Sequence, residues 1–256
     1  MNRIANALRI MIRDPSRAIP RIWRRLFPFG IVPKDPAAYR IGSWSYGTLS
    51  RVEVTTAFPG IEPIDVIVPR AYDRVQNVSM DPLEALVLGS LVKFIGARRI
   101  LEIGTYDGNT TLNLAANSPE DAVIVTVDLP PNWDKRDFES KVTETDLNIN
   151  DPAITGAQFK NTAYAYKISQ VFGDSTKLDW ATLPGPFDLV FIDGCHAYEF
   201  VHQDTANALR YLRAGGLIVW HDYGMLKEVS QVVDETARRI KVSAIQGTRL
   251  AAAFVP

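Results

Sequence analysis

Apolar residues along this chain switch repeatedly between short unbroken runs and helical spacing. Ile100–Ile103, Val123–Val127, Ile168–Phe172, Phe187–Ile192 and Leu217–Trp220 are short, mostly apolar runs. Runs of that length bounded by turn residues predict strands buried on both faces of a parallel sheet. Between them the spacing turns helical. Leu83, Leu86, Val87, Leu91 and Phe94 share one helix face, as do Leu112, Leu114 and Ala115, and then Val201, Ala208, Leu209 and Leu212; a last helix spans about 225–240. Asp81-Pro82-Leu83-Glu84 reads as a helix start, with an acid N-cap, proline in the first turn and glutamate three residues on. Val242–Ile245 and Leu250–Val255, joined through Gly247-Thr248, predict a closing antiparallel pair. Strands alternating with helices define an α/β fold.

Outside this pattern lie three unlike stretches. Residues 1–29 carry seven arginines against one acid, Asp14, with Ile4, Ala7, Leu8, Met11, Ile12 and then Ile19, Ile22, Trp23, Leu26 and Phe27 at helical spacing. Such a basic amphipathic extension suits an anionic membrane surface, or packs its apolar face on the domain or on a second copy in a homodimer. Residues 30–79 are rich in proline, glycine and aromatics. Val52/Val54 and Ile64–Val68 flank the turn signal Pro59-Gly60, which predicts a small hairpin or an irregular arm. Trp44, Tyr46, Arg70 and Tyr72 of this arm are candidates to face a substrate. Residues 130–162 are too long and polar for a simple connection and read as a lid or a surface excursion.

Composition narrows the classes. The chain has 256 residues, enough for one α/β domain (80–256) with extensions. A net charge of −1 gives no basis for nucleic-acid binding. The single cysteine, Cys195, cannot form an internal disulfide, and no signal-peptide apolar region or membrane-length run is present, so a reducing, cytoplasmic setting is expected.

The chemistry concentrates where the first core strand ends. Ile100-Leu101-Glu102-Ile103 runs into Gly104, with Gly108 four residues later and a helix starting near Asn109. Glycines admit a close backbone approach, and a helix N-terminus offers unpaired N–H groups. Glu102 and Asp107 beside this turn disfavour a pyrophosphate and favour a cationic or zwitterionic ligand. The phrase E-I-G-T-x-x-G-x-T resembles motif I of the class I S-adenosylmethionine (SAM) methyltransferases, in the branch with the catechol and macrolide-sugar O-methyltransferases. The resemblance covers about 80–256. It implies a Rossmann-like fold, a mostly parallel seven-stranded sheet with a C-terminal antiparallel hairpin, and SAM as methyl donor. It further implies that Glu102, Gly104, Thr105, Tyr106 and Gly108 hold the amino-acid end of SAM. Asp128, at the next strand end, would bind the ribose, Asp174 the adenine, and Asp193 would border the same cofactor.

Asp193 and Asp222 close two strands that this topology makes neighbours. In the family resembled, acids at these ends bind a divalent ion such as Mg²⁺ or Mn²⁺. Here the second end reads His221-Asp222-Tyr223, so His221 joins Asp193 and Asp222 as a candidate ligand, and imidazole suits Mn²⁺, Fe²⁺ or Zn²⁺ better than Mg²⁺. His196, in D-G-C-H-A-Y-E, falls where the catechol branch has its lysine base; His196 is the first candidate base and His221 the second, with loop ordering as the rival role. The reaction implied is O-methylation of a hydroxyl on a small molecule, sugar or glycan. D-G-x-H-x-Y-E is also similar to the cephalosporin-hydroxylase group, which keeps an iron-type alternative open; an NAD-linked oxidoreductase lacks its G-x-G-x-x-G spacing here.

Overall fold

The computed structural model describes residues 46–69, 80–130 and 154–256. The extension 1–29, most of the arm with Trp44, Arg70 and Tyr72, and the larger part of the 130–162 stretch lie outside the described residues.

Eight strands form one sheet: β1 (Arg51–Val52), β2 (Arg99–Ile103), β3 (Val123–Asp128), β4 (Ile168–Phe172), β5 (Phe187–Ile192), β6 (Leu212–Trp220), β7 (Ser243–Ile245) and β8 (Ala251–Phe254). Their order is β1-β7-β8-β6-β5-β2-β3-β4. β8 runs antiparallel to both of its neighbours, and every other pairing is parallel. The Rossmann-like sheet of seven expected strands is present, with β1 added at its edge beside β7. Arg51 holds that edge, donating to the carbonyls of Ile245 and Thr248 at 3.1 and 2.6 Å and to that of Tyr223 at 2.9 Å.

Alternation along β2 and β5 explains the unbroken apolar runs. Ile100, Leu189 and Phe191 face one core; Leu101, Ile103, Val190 and Ile192 face the other. The helices are α1 (Val54–Ala57), α2 (Pro82–Phe94), α3 (Asn109–Asn117), α4 (Tyr198–Tyr211) and α5 (Lys227–Ala237). α2 starts with the capping box its sequence predicts: the Asp81 side chain accepts from the Leu83 amide, and Glu84 accepts from the Asp81 amide.

The Ile64–Val68 run is not a strand. Asn117, at the end of α3, takes the place of a partner strand: its Oδ1 accepts from the Ile67 amide at 2.9 Å and its Nδ2 donates to the Ile67 carbonyl at 2.8 Å. A side-chain amide can satisfy both backbone groups of one residue, so extended backbone is stabilised without a ladder. Val54 likewise lies in α1, after β1 has ended at Val52.

Candidate active site

The parallel topology carries four strand ends to one rim. Their ladder continues past the strands through Gly104 N–H to the Val127 carbonyl (2.8 Å), Asp193 N–H to Ile103 (2.8 Å) and His221 N–H to Ile192 (3.0 Å). Ligands of open α/β sheets bind at this carboxyl edge.

On the β2–β3 side the site is a tight turn. Gly104 has φ +96°, and a Cβ there would come 2.0 Å from the Asp193 carbonyl oxygen, so only glycine fits between these strand ends. Asp128 accepts from the amides of Thr105 and Tyr106 at 3.0 and 2.8 Å through Oδ2, and from Leu129 through Oδ1. It thus clamps the turn that motif I makes, while Tyr106 is held at φ +46°. Glu102 lies fully buried beneath. Its register partner Thr126 donates to Oε2 at 2.6 Å, Thr111 of α3 donates to the same atom at 2.5 Å, and Oε1 has no hydrogen-bond partner. Burial pushes the Glu102 carboxyl up to about 8 against the pull of the two hydroxyls, and burial also raises Asp128. Gly108 caps α3 in the left-handed region, and Phe159 covers it. The segment around Phe159 is tied down by Gly156 N–H to the Tyr106 carbonyl and Gln158 N–H to the Asp107 carbonyl, both 2.8 Å.

Asp174, after β4, caps its own turn, accepting from the Thr176 amide and hydroxyl at 2.9 and 2.6 Å. Its Oδ2 lies 3.6 Å from Lys177.

On the β5–β6 side the structure brings together Asp193, His196 and Asp222. Each offers one ligand atom, and these atoms lie within 4.8 Å of one another. His196 Nε2 stands 3.2 Å from Asp222 Oδ2. Asp222 sits at φ +57°, a conformation costly for a residue with a side chain and typical of functional strand ends.

His221 does not share that opening. It is buried, with Nδ1 2.9 Å from Asp193 Oδ1 and Nε2 3.1 Å from Glu84 Oε2. The chain leaves β6 at Trp220 and turns left-handed at Asp222, so His221 packs toward α2 while Asp222 reaches His196. Desolvation works against its charge, yet the surrounding Asp193 and Asp222 carboxylates raise the His221 imidazole well above its ordinary value. Glu84 and Arg249 complete this interior and carried no role in the sequence reading. Arg249 forks onto Glu84 and reaches Asp222 Oδ1 at 3.0 Å. Despite burial, the cations hold Glu84 and Asp222 well below the usual carboxylate range. The capping-box position of Glu84 marked it as a helix residue, and nothing in its local sequence points across the fold. His202 is exposed and stacks on Tyr198, ring centroids 5.6 Å apart.

A rim with a glycine turn on its first strand, acids on the next ends and an antiparallel last strand is the arrangement that the resemblance to class I SAM-dependent methyltransferases leads one to expect. Residues 101–223 match the methyltransferase-domain family. Among relatives, caffeoyl-CoA O-methyltransferase of Populus kitakamiensis is 24% identical over 209 residues, covering 77% of this chain and 80% of the relative. In three dimensions the chain is similar to the O-methyltransferase TomG of Streptomyces achromogenes, solved with SAM (TM-score 0.53, 18% identity, 86% of this chain and 96% of that one). It is also similar to an O-methyltransferase of Bacillus cereus solved with S-adenosylhomocysteine (TM-score 0.51, 18% identity, 93% and 97%). The chain is accordingly a SAM-dependent O-methyltransferase acting on a small-molecule acceptor. No helix among the described residues is long and apolar enough to cross a membrane.

Proposed function

We propose that SAM lies across the ends of β2 and β3 and that the acceptor hydroxyl enters between Asp193, His196 and Asp222. The observation that carries this reading is the meeting of those three side chains on the rim that the motif I turn opens. When bound, SAM supplies an electrophilic methyl group to an in-line oxygen nucleophile. Glu102, Gly104, Thr105, Tyr106 and Gly108 form the cradle for its amino-acid end; Glu102 Oε1, without a hydrogen-bond partner among the described residues, supports that placement. Asp128 keeps lone pairs beyond those given to the turn amides, enough to accept from ribose hydroxyls. Asp174, at the end of β4, is assigned to the adenine on position. The chain's part in transfer is to align the partners and to take up the hydroxyl proton.

Two carboxylates and an imidazole suit a divalent ion, and the imidazole shifts preference from Mg²⁺ toward Mn²⁺, Fe²⁺ or Zn²⁺. Asp193, His196 and Asp222 would hold it, with His196 in the place that sequence order assigns to His221. Such an ion would lower the pKa of an acceptor hydroxyl. The second reading uses His196 as the base, oriented by Asp222 across the 3.2 Å contact.

Mass spectrometry of the purified protein and calorimetry with SAM test the donor site. Asp128→Ala should weaken SAM binding by about tenfold, as expected for one charged hydrogen-bonding group; unchanged affinity refutes the ribose assignment. Metal analysis separates the two readings of His196, and bound iron without SAH would favour the hydroxylase-like chemistry. The acceptor is placed among sugars and glycans as well as smaller hydroxyl compounds. Residues 1–29 are assigned to a membrane surface or to a dimer contact, and the protein to the cytoplasm, on the composition given above.

A further inference from the structure

Glu84 is a helix residue that does far more than cap a helix. One carboxylate, 1% exposed, accepts five hydrogen bonds: from the Asp81 amide (2.9 Å), His221 Nε2 (3.1 Å), the Arg249 amide (2.7 Å), Arg249 Nε (3.0 Å) and Arg249 Nη2 (2.8 Å). Only the first belongs to the capping box; the other four reach β6 and the β7–β8 turn. The two cations that Glu84 holds then back onto the site. His221 Nδ1 lies 2.9 Å from Asp193 Oδ1 and 3.4 Å from Asp222 Oδ1, and Arg249 Nη1 lies 3.0 Å from Asp222 Oδ1. Both aspartates therefore commit Oδ1 to the interior, and Asp222 turns Oδ2 to His196.

We propose that Glu84 and Arg249 are positioning residues for the reaction, fixing through His221 which oxygen of Asp193 and Asp222 faces the acceptor. The proposal rests on the reading of those aspartates as the acceptor-side acids. Geometry supports it in two ways. The His221 ring is wedged between two carboxylates, Nε2 on Glu84 and Nδ1 on Asp193, so the position of Glu84 sets the position of the ring against which Asp193 rests. The left-handed Asp222 backbone is strained, and such strain persists only where surrounding contacts over-determine it. Arg249 and His221 are those contacts.

The test uses the full chain with ¹⁵N-labelled histidine and the variants Glu84→Gln and Arg249→Lys. Long-range ¹H–¹⁵N spectra read the ring N–H protons of His221, electron paramagnetic resonance reads Mn²⁺ affinity, and calorimetry reads SAH affinity. The wild type should show both His221 ring protons in slow exchange. Glu84→Gln should lose the Nε2–H signal, the proton that Glu84 accepts, and weaken Mn²⁺ binding by about tenfold or more, as lost outer contacts to metal ligands do. SAH affinity should stay within about twofold, since the contacts of Glu84 run to Asp81, His221 and Arg249 and not to the motif I turn. Loss of either the proton signal or the Mn²⁺ affinity supports the proposal; persistence of both, or a wild type with neither ring proton, overturns it. A wild type that binds no Mn²⁺ refutes the metal reading alone, and one that binds no SAH refutes the donor site alone; the Nε2–H signal then decides the positioning role. Should Glu84→Gln not fold, Arg249→Lys decides by the same readouts, because it keeps the charge and removes the fork.

Discussion

The two halves of the rim use the same residue types to opposite effect. On the donor side, Glu102 and Asp128 sit among hydroxyls and amides with no cation in contact among the described residues, and burial raises both carboxyls. On the acceptor side, Glu84 and Asp222 are buried as deeply, yet His221 and Arg249 keep them ionised. A sulfonium donor brings its own positive charge, so a Glu102 carboxyl raised to about 8 avoids an unpaired buried charge before it arrives. The acceptor side must keep its carboxylates charged to orient a hydroxyl or a cation, and built-in cations do that. Burial depth alone therefore predicts neither protonation state nor role; the partner decides.

The largest expected effect breaks the acceptor side. Arg249→Met leaves Glu84 and Asp222 buried without their guanidinium, and losing one partner of a buried pair costs about 3–5 kcal/mol. For a protein of this size that is a fall in melting temperature of roughly 10 °C or more; a fall under about 2 °C, well below that scale, would show that the interior is not held by this pair. Next comes the joint between the halves. Gly104→Ala must push Asp193 away from β2, and SAM affinity should fall by about tenfold or more, since displacements near 1 Å carry losses of that order or larger. Calorimetry with SAM reads it, and unchanged affinity would separate the turn from the donor.

A smaller effect sharpens the donor side. The folded-state value of Glu102 lies above its ordinary 4.5, at about 8, so the folded protein binds more protons than the unfolded chain between those limits. Stability should therefore decline as pH rises from about 4.5 to about 8, and Glu102→Gln should remove that part of the decline. Melting curves at pH 5 and pH 8 check it; parallel losses in the wild type and the variant would place Glu102 outside the titration. The smallest is Thr111→Val, which deletes one of the two hydroxyls on Glu102 at a cost near 1 kcal/mol. Its melting temperature should fall by only a few degrees.

Much of this was legible in the order of residues. The period of the apolar pattern predicted the core strands and the helices, and the Asp81–Glu84 signature predicted both the start of α2 and its capping box. Motif I pointed to Glu102, Gly104 and Gly108 because a glycine turn and its flanking acid are contiguous. Three details are added by the fold. Ile64–Val68 has a strand's composition, but the Asn117 side chain satisfies Ile67 where a partner strand was expected. β1 adds an eighth strand through two residues, too few to show a period. Asp174 is occupied with Thr176 in its own turn, a local bond that its Asp-Ser-Thr sequence permits.

Sequence alone determined what depends on neighbours along the chain: strand and helix periods, the cap, the glycine turn and the acids that end the strands. Tertiary structure alone decided which histidine faces the opening and which is enclosed, because that choice turns on where the loop between β5 and α4 carries His196 and on what α2 places beside His221. It alone joined Glu84 to His221 and Arg249, partners 137 and 165 residues away. A residue's chemistry follows from its type, whereas its charge and its task follow from contacts that only the folded chain creates.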